Sequence, residues 1–350
     1  RAVLHPEPGA GHRCSTGDRV TESKAGASVG IIANPAAGKD VRRLVAFAST
    51  FDNQEKVRIV RRILSGLAAS GVERVWYLRD SFGIVERAAA GLMLALDLRP
   101  IPVPCEFTAS DSERAATWLA EHDVACIVTL GGDGTNRVVA RGCGALPLVP
   151  IATGTNNVFP FFVDGTIAGL AAGLLATGQL GDCLERVPRL EVWIDGTLVD
   201  LALIDVAVSR ERFIGSRAIW DPTTIELIVV ARLLPGVIGL AAVPAALIGH
   251  TDEQHGAVVE LGTGTLQVTA PLAPGLVRAV TVRSWRTLPL GTSLRIDRRP
   301  CTLALDGERE LHVERAGEIH VRLSADGPFV LDPRRAVRAA AQRGCFLSER

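Results

Sequence analysis

The chain has 350 residues, enough for two domains with separate hydrophobic cores. Its hydrophobic fraction of 47% and its mean hydropathy of +0.25 exclude a disordered protein. The 38 basic and 38 acidic side chains balance, which argues against a global basic field that would recruit nucleic acid or an acidic membrane. The composition therefore predicts a globular protein with no nucleic-acid partner.

The N-terminal residues 1–28 are rich in Gly, Pro, Ser and charge and lack the apolar core of a signal peptide, so we interpret them as a flexible tail. The seven cysteines include no C-x-x-C pair, and the seven histidines show no metal-ligand spacing. This usage favours reduced thiols in a cytoplasmic protein and argues against a disulfide framework or a zinc site.

The first predicted strand, residues 29–33, leads into a turn that contains Asn34, Pro35 and Gly38. Proline fixes the backbone of such a turn and glycine relaxes it. A helix with an apolar stripe is expected over residues 41–48. The spacing is not that of a Walker A loop, yet a strand followed by this turn is a natural edge of a nucleotide pocket.

Helices and strands then alternate up to about residue 180. Apolar periodicity predicts helices over 53–69, 82–96, 111–121, 136–141 and 165–177, and strands over 72–78, 101–107, 124–130 and 146–152. The prolines in the strand 101–107 indicate an edge position. This alternation predicts that residues 29–180 form an α/β, Rossmann-like domain, with a parallel sheet and helices on both faces.

The strand that ends at Leu130 runs into the segment Gly131-Gly132-Asp133-Gly134-Thr135, and a helix follows. Glycines let the backbone approach an anion, and a helix N-terminus offers unpaired N–H groups and a positive dipole end. The carboxylate of Asp133 cannot bind phosphate itself but suits a metal ion or an attacking hydroxyl. The segment predicts a phosphate-binding turn with Asp133 as the candidate catalytic residue. A tight turn without chemistry is the alternative.

After residue 180 the pattern changes to short alternating apolar runs. They cover residues 190–194, 198–208, 258–261, 266–270, 277–285, 294–297, 301–305, 310–313 and 319–323. Asp195-Gly196 is a strong hairpin signal between the first two runs, and Gly262-Thr263-Gly264 separates the next two. We expect an all-β, sandwich-like domain over residues 181–330, followed by a basic helix over 331–350.

One apolar stretch within this region tests for membrane insertion. Residues 227–249 are mostly apolar, but Arg232, Pro235 and Pro244 interrupt them. A spanning helix needs about 20 apolar residues without such breaks. We therefore expect a buried helix and loop, and no stable membrane insertion.

A late acidic segment, Asp306-Gly307-Glu308, has two interpretations. It is a plain hairpin turn between two of the runs, or it presents a pair of carboxylates at a loop tip that faces a cleft between the domains. Such a pair could hold Mg²⁺ or act as a general base. The spacing alone leaves both interpretations open.

Four segments together resemble the NAD kinase/diacylglycerol kinase superfamily. They are Asn34-Pro35-x-x-Gly38, Gly131-Gly132-Asp133-Gly134-Thr135, Gly154-Thr155-x-Asn157 and Asp306-Gly307-Glu308. More narrowly, residues 30–45 are similar to the branch of acetoin-catabolism protein X, or ATP-NAD kinase-like proteins. The resemblance covers about residues 29–330 and implies a cytoplasmic kinase that binds small-molecule nucleotides between its two domains and can form homo-oligomers.

The resemblance also implies ATP and NAD as substrates, with Mg²⁺ at the transferring phosphate. Asp133 would polarise the attacking hydroxyl or hold the metal, and Asp306 is the other candidate metal ligand, in a second acidic site with Glu308. The nucleotide would be lined by Asn34, Gly38, Gly131, Gly132, Gly134, Thr135, Gly154, Thr155 and Asn157.

Two departures affect the expected substrate. Val158 stands where lipid kinases of the superfamily usually carry Asp, and no counterpart of the Asn-Glu pair of NAD kinases is evident. Asp306-Gly307-Glu308, in contrast, follows the lipid-kinase pattern. The resemblance therefore implies an NAD kinase, with two alternatives: a kinase for a lipid or another small hydroxylated molecule, and a nucleotide-binding accessory protein of acetoin catabolism without turnover.

Overall fold

The computed structural model describes residues 27–38, 47, 51–154, 157–210, 222–249, 254–314 and 317–347. The helix expected over 41–48 and the candidate residue Thr155 lie outside these residues. The helices are α1 (Asn53–Ala69), α2 (Ile84–Ala89), α3 (Ala109–Ala120), α4 (Asp133–Gly142), α5 (Gly165–Ala176), α6 (Ala242–Ile248) and α7 (Pro333–Gln342).

Seventeen strands are named in the described part of the chain. They are β1 (Ser28–Ala33), β2 (Arg74–Tyr77), β3 (Asp97–Pro100), β4 (Ile127–Gly131), β5 (Leu148–Ala152), β6 (Leu184–Arg186), β7 (Arg189–Ile194), β8 (Thr197–Ala202), β9 (Asp205–Ser209), β10 (Ile225–Val230), β11 (His255–Ala273), β12 (Leu276–Pro289), β13 (Ser293–Arg295), β14 (Cys301–Leu305), β15 (Glu308–Val313), β16 (Ile319–Ser324) and β17 (Phe329–Leu331).

The first sheet has the strand order β3-β2-β1-β4-β5-β17-β6, and its pairs are parallel except for β17 with β6. One face is covered by α1, α2, α5 and α7, whose apolar residues share a core with the strands. The other face packs against α3 and α4. This arrangement confirms the predicted parallel sheet with helices on both faces. Parallel strands are usually buried and need such cover on both sides.

The second region is a sandwich of two antiparallel sheets, which confirms the predicted fold class. The six-stranded sheet has the order β12-β11-β10-β9-β14-β15, and the four-stranded sheet has the order β13-β16-β7-β8. Side chains of the two inner faces, such as Val192 and Val321 opposite Val208 and Leu303, form one core. The outer face of the larger sheet shares a further core with α6 and with Phe159 of the first region.

The domain boundaries predicted at residues 180 and 330 stay a prediction. The structure shows a chain path near these boundaries that the prediction did not include. β6 and β17 lie within or next to the region predicted as β-rich, yet both belong to the first sheet. Val330 of β17 pairs with Leu148 of β5, and α7 packs against α5. The chain therefore returns to the first sheet after it has completed the sandwich.

Two predictions in the first domain were wrong in their bounds. The helix predicted over 82–96 ends at Ala89, because Ala90 is no longer helical and Gly91 adopts φ 76°. The strand predicted over 101–107 is instead β3, which ends at Pro100. Residues 102 and 104 are prolines and cannot donate to a neighbouring strand, and the edge of the sheet is formed by β3 instead.

Two predictions in the sandwich also need correction. The run 198–208 forms two strands in different sheets, β8 and β9. The segment 262–264 is not a turn between strands but part of the continuous strand β11, where Gly262 at φ 138° accommodates an irregularity in the pairing with β12. The Asp195-Gly196 hairpin is confirmed, since both residues have positive φ and join β7 to β8.

The apolar stretch 227–249 contains the end of β10, a loop and the short helix α6. Its side chains contribute to the core beneath the larger sheet of the sandwich. Within the residues that the structure describes, no helix is long and apolar enough to cross a membrane.

Candidate active site

The candidate site lies at the carboxyl ends of β1, β4 and β5, which are neighbours in the first sheet. In an open parallel sheet, the loops that leave this edge are the usual place for a ligand. β4 ends at Gly131 and α4 begins at Asp133, with Gly132 as its N-cap. Because glycine has no side chain to cap the helix, the first N–H groups of α4 remain available for an anion.

A buried asparagine fixes the start of α4. The Nδ2 of Asn136 donates to the carbonyl of Gly132 at 2.8 Å, and its Oδ1 accepts from the Thr129 hydroxyl at 2.6 Å. Asn136 and Thr129 are fully buried. The amide of Asn136 therefore ties the glycine turn to β4, and a buried polar pair of this kind is strong because water does not compete for it.

The glycines of this turn are required by close contacts. A methyl group at Gly131 would lie 2.5 Å from Cβ of Thr135, and one at Gly132 would lie 2.7 Å from Oδ1 of Asn157. Both distances are too short for a real side chain. Glycine at both positions therefore allows Thr135 and Asn157 to lie close to the backbone of the turn.

The loops after β1 and β5 meet this turn, as the sequence predicts. The Nδ2 of Asn34 donates to the Thr135 hydroxyl at 2.9 Å. Gly38 has φ 74°, and a methyl group there would lie 2.4 Å from the carbonyl oxygen of Thr153. The Nδ2 of Asn157 donates to the carbonyl of Gly154 at 3.0 Å. The described candidates from three loops thus surround the N-terminus of α4.

Lys56 is a site residue that sequence reasoning missed. Its side chain is fully buried beneath the loop after β1, where Nζ donates to the carbonyls of Asn34, Pro35 and Ala37 at 2.6–3.1 Å. It also donates to Oδ1 of Asn53 at 3.0 Å. A cation in this position satisfies three carbonyl groups of the loop after β1, and it places a positive charge beneath that loop.

The carboxylate of Asp133 contacts the loop after β5. Its Oδ1 accepts from the backbone amides of Val158 at 3.0 Å and Phe159 at 2.8 Å, and its Oδ2 accepts from Val158 at 3.1 Å. Asp133 thereby orders the loop that carries Asn157. The side chain of Val158 replaces the carboxylate of the lipid-kinase pattern, while its backbone N–H supports Asp133.

The structure separates the two late carboxylates. Asp306 and Gly307 form the hairpin turn between β14 and β15, with φ 51° and φ 76°, so the hairpin interpretation is confirmed. The Asp306 side chain is fully buried and accepts from the amides of the link 203–205. Glu308 is partly buried, and its Oε2 lies 3.4 Å from a methyl group placed at Gly134. Only Glu308 therefore borders the glycine turn.

Burial raises the pKa of Asp306 to about 6, although Arg137 and the amides of Leu203, Ile204 and Asp205 act in the opposite direction. A rise from the ordinary value of 3.8 means that folding favours the protonated carboxyl. The contribution of this group to stability is therefore complete below pH 3.8 and is lost as the pH rises through about 6.

We expect the free energy of unfolding of the wild type, relative to that of Asp306→Asn, to fall by about 2 kcal/mol between pH 4 and pH 7. The asparagine keeps an oxygen for the backbone amides but does not ionise. Urea unfolding of both proteins across this range measures the difference. A difference that does not change with pH would contradict the raised pKa.

Two observations make the site suitable for an anionic ligand. The glycine turn offers an uncapped helix end, and the hydroxyl of Thr153, fully buried at the end of β5, has no hydrogen-bond partner among the described residues. Within the part of the chain that the structure describes, no group of three or more His, Cys, Asp or Glu could hold a metal.

Two family models match consecutive parts of the chain. Residues 29–179 match the ATP-NAD kinase N-terminal domain, and residues 188–326 match the acetoin catabolism protein X C-terminal domain. The acetoin catabolism protein X of Cupriavidus necator is 39% identical over 315 residues, which cover 84% of this chain and 87% of that protein.

A solved structure from Bacillus anthracis str. Sterne, described as a “putative diacylglycerol kinase”, aligns with 89% of this chain and 99% of its own. The identity is 12% and the TM-score is 0.42. A likeness at this level supports no argument about substrate or mechanism.

Proposed function

This chain belongs to the acetoin catabolism protein X family, and on that premise we propose that it is a kinase that transfers the γ-phosphate of ATP to the 2′-hydroxyl of NAD and so forms NADP. The observation that carries the proposal is the meeting of three glycine-containing loops around the uncapped start of α4, marked by the bond from Asn34 to Thr135. The match of residues 29–179 to the ATP-NAD kinase domain supports the choice of both nucleotides.

In this proposal the phosphates of ATP bind at the N–H groups of Gly132 to Thr135, where the dipole of α4 favours negative charge. Asp133 holds Mg²⁺, which when bound neutralises charge on the transferring phosphoryl group. Asn34 and Asn157 fix the loops on either side. Glu308, which faces Gly134 from the sandwich, accepts the proton of the attacking hydroxyl.

Glu308→Gln is expected to lower kcat by about 100-fold with little change in the KM for ATP, because the amide cannot accept the proton. Steady-state kinetics of the purified variant measures both constants. Glu318→Gln is a matched control, since Glu318 is an exposed residue of the sandwich whose carboxylate pairs with Arg295 at the surface. If the kcat of Glu308→Gln equals that of Glu318→Gln, Glu308 is not the general base.

The direct test incubates the purified protein with ATP, Mg²⁺ and NAD and follows NADP with a coupled dehydrogenase. Steady NADP production that requires all three components would support the proposal. No NADP, with ATP still bound in calorimetry, would overturn the NAD assignment and favour another acceptor or an accessory role without turnover.

A lipid or another apolar alcohol is the second candidate acceptor, and one observation favours it. Next to Asp133, the side chains of Val158 and Phe159 join an apolar cluster with Val237, Leu247 and Ile248 of the sandwich. An acceptor with a hydrocarbon part would be compatible with such surroundings. Phosphorylation of extracted lipids with labelled ATP tests this candidate, and no labelled product from any extract would count against it.

A further inference from the structure

We infer that Arg137 is a positioning residue that couples the phosphate-binding end of α4 to Glu308 across the two domains. The inference rests on the proposed function, because it assigns Arg137 the task of setting Glu308 relative to the bound phosphates.

Arg137 belongs to α4 and lies three residues after Gly134, one helical turn from the phosphate-binding end. Its side chain is only 4% exposed and extends to the sandwich. There, Nη1 lies 2.8 Å from Oδ2 of Asp200 in β8, and Nε lies 3.9 Å from Oδ2 of Asp306. Asp200 is also largely buried, so water screens these charges little.

Asp306 transmits the position of Arg137 to Glu308. Its carboxylate is fixed by the backbone amides of Leu203, Ile204 and Asp205 at 2.7–3.3 Å. Two residues later in the same hairpin, Glu308 lies against Gly134 of α4. The helix therefore contacts the hairpin directly at Gly134 and through Arg137 one turn further along, and two contacts restrain the hairpin more tightly than one.

The fork of the guanidinium suits this role. It is planar, permanently charged and able to contact two carboxylates from one side chain, whereas a lysine would offer a single flexible ammonium. The pair of contacts fixes the distance between an anion on the α4 N-terminus and the base on the hairpin. A displacement of about 1 Å between reacting groups can lower a rate by about 100-fold.

The experiment compares Arg137→Met with Arg141→Met. Arg141 lies one turn further along α4, is 37% exposed, and contacts Glu113 at 2.6 Å and Asp200 at 3.6 Å. The variant Arg141→Met thus removes an arginine from the same helix but leaves the contact between Arg137 and Asp306 in place. We expect kcat to fall by about 100-fold in Arg137→Met, with the KM for ATP within about threefold of the wild type. The kcat of Arg137→Lys should lie between that of the wild type and that of Arg137→Met.

Hydrogen exchange of residues 301–308 gives a readout that does not depend on turnover. We expect faster exchange there in Arg137→Met than in Arg141→Met, because the hairpin loses one of its two contacts with α4. If Arg137→Met does not fold, Asp200→Asn weakens the same link from the sandwich side and should show the same changes in kcat and exchange.

The outcomes separate this inference from the proposed function. Normal exchange and normal kcat in Arg137→Met, or a loss of activity that only follows the unfolded fraction, would overturn the coupling while NADP formation by the wild type still stands. If exchange is faster in Arg137→Met but the wild type makes no NADP, the first result would support the coupling and the second would overturn the proposed function.

Discussion

Asp133→Asn is expected to lower NADP formation by about 10⁴-fold, a larger loss than for any other single change at the site. The asparagine keeps Oδ1, which accepts from both Val158 and Phe159, so the loop after β5 remains in place. In the proposed function, what the variant loses is the negative charge that would hold the metal at the phosphates. The coupled dehydrogenase assay with ATP, Mg²⁺ and NAD measures the loss.

Asp164→Asn is the matched control for this change. Asp164 lies in the same domain and also accepts from a backbone amide, that of Thr166, at the start of α5. Its replacement should change stability by less than about 1 kcal/mol, because asparagine caps a helix as well as aspartate and the pair with Arg62 is at the surface. It should leave kcat unchanged, because the side chain of Asp164 pairs with Thr166 and Arg62 and not with a residue of the candidate site. Unaffected NADP formation in Asp133→Asn would contradict the role assigned to Asp133.

Lys56→Met is expected to lower the free energy of unfolding by about 3 kcal/mol, since three carbonyls of the loop after β1 lose a buried, charged donor. The methionine fills much of the same volume, so the effect reports the lost hydrogen bonds. Because the loop with Asn34 and Gly38 is then less ordered before ATP binds, ATP affinity should also fall by about tenfold. Urea unfolding and calorimetry measure the two effects.

Arg58→Met provides the comparison on the same helix. Arg58 is 71% exposed and pairs only with Glu55 among the described residues, at 3.3 Å. Such a surface pair contributes less than about 1 kcal/mol, and ATP affinity should not change. Equal stability and equal ATP affinity in Lys56→Met and Arg58→Met would refute the role of the buried ammonium.

Much of the fold could be predicted because its local patterns agree with its packing. The apolar spacing of α1 matches the observed helix at both ends, and the glycine turn lies between a buried strand and a helix as predicted. The predicted meeting of the loops at Asn34, Gly131 and Asn157 follows from the topology alone, because neighbouring parallel strands end at one edge.

The missed features depend on contacts that no local pattern contains. Lys56 was not recognised although it continues the buried stripe of Val60, Ile63 and Leu67, because a lysine in a helix is usually solvated. A lysine at a core position of an otherwise regular stripe is the signal that could have found it. Asp306 and Glu308 could not be told apart, since which carboxylate a hairpin turn buries is decided by the neighbouring strands.

The strand β17 has a consequence for how the protein is made. Synthesis delivers β1 to β5 first, and Phe161 soon bridges the carboxyl end of β5 at Ile151. The place beside Leu148, at the other end of β5, is filled only when Val330 emerges, after the whole sandwich. Until then the amino-terminal half of β5 is an unprotected edge, and such edges invite pairing with other chains. Proteolysis just before residue 329 should therefore yield an aggregating product, not two independent domains, because the last strand closes the first sheet.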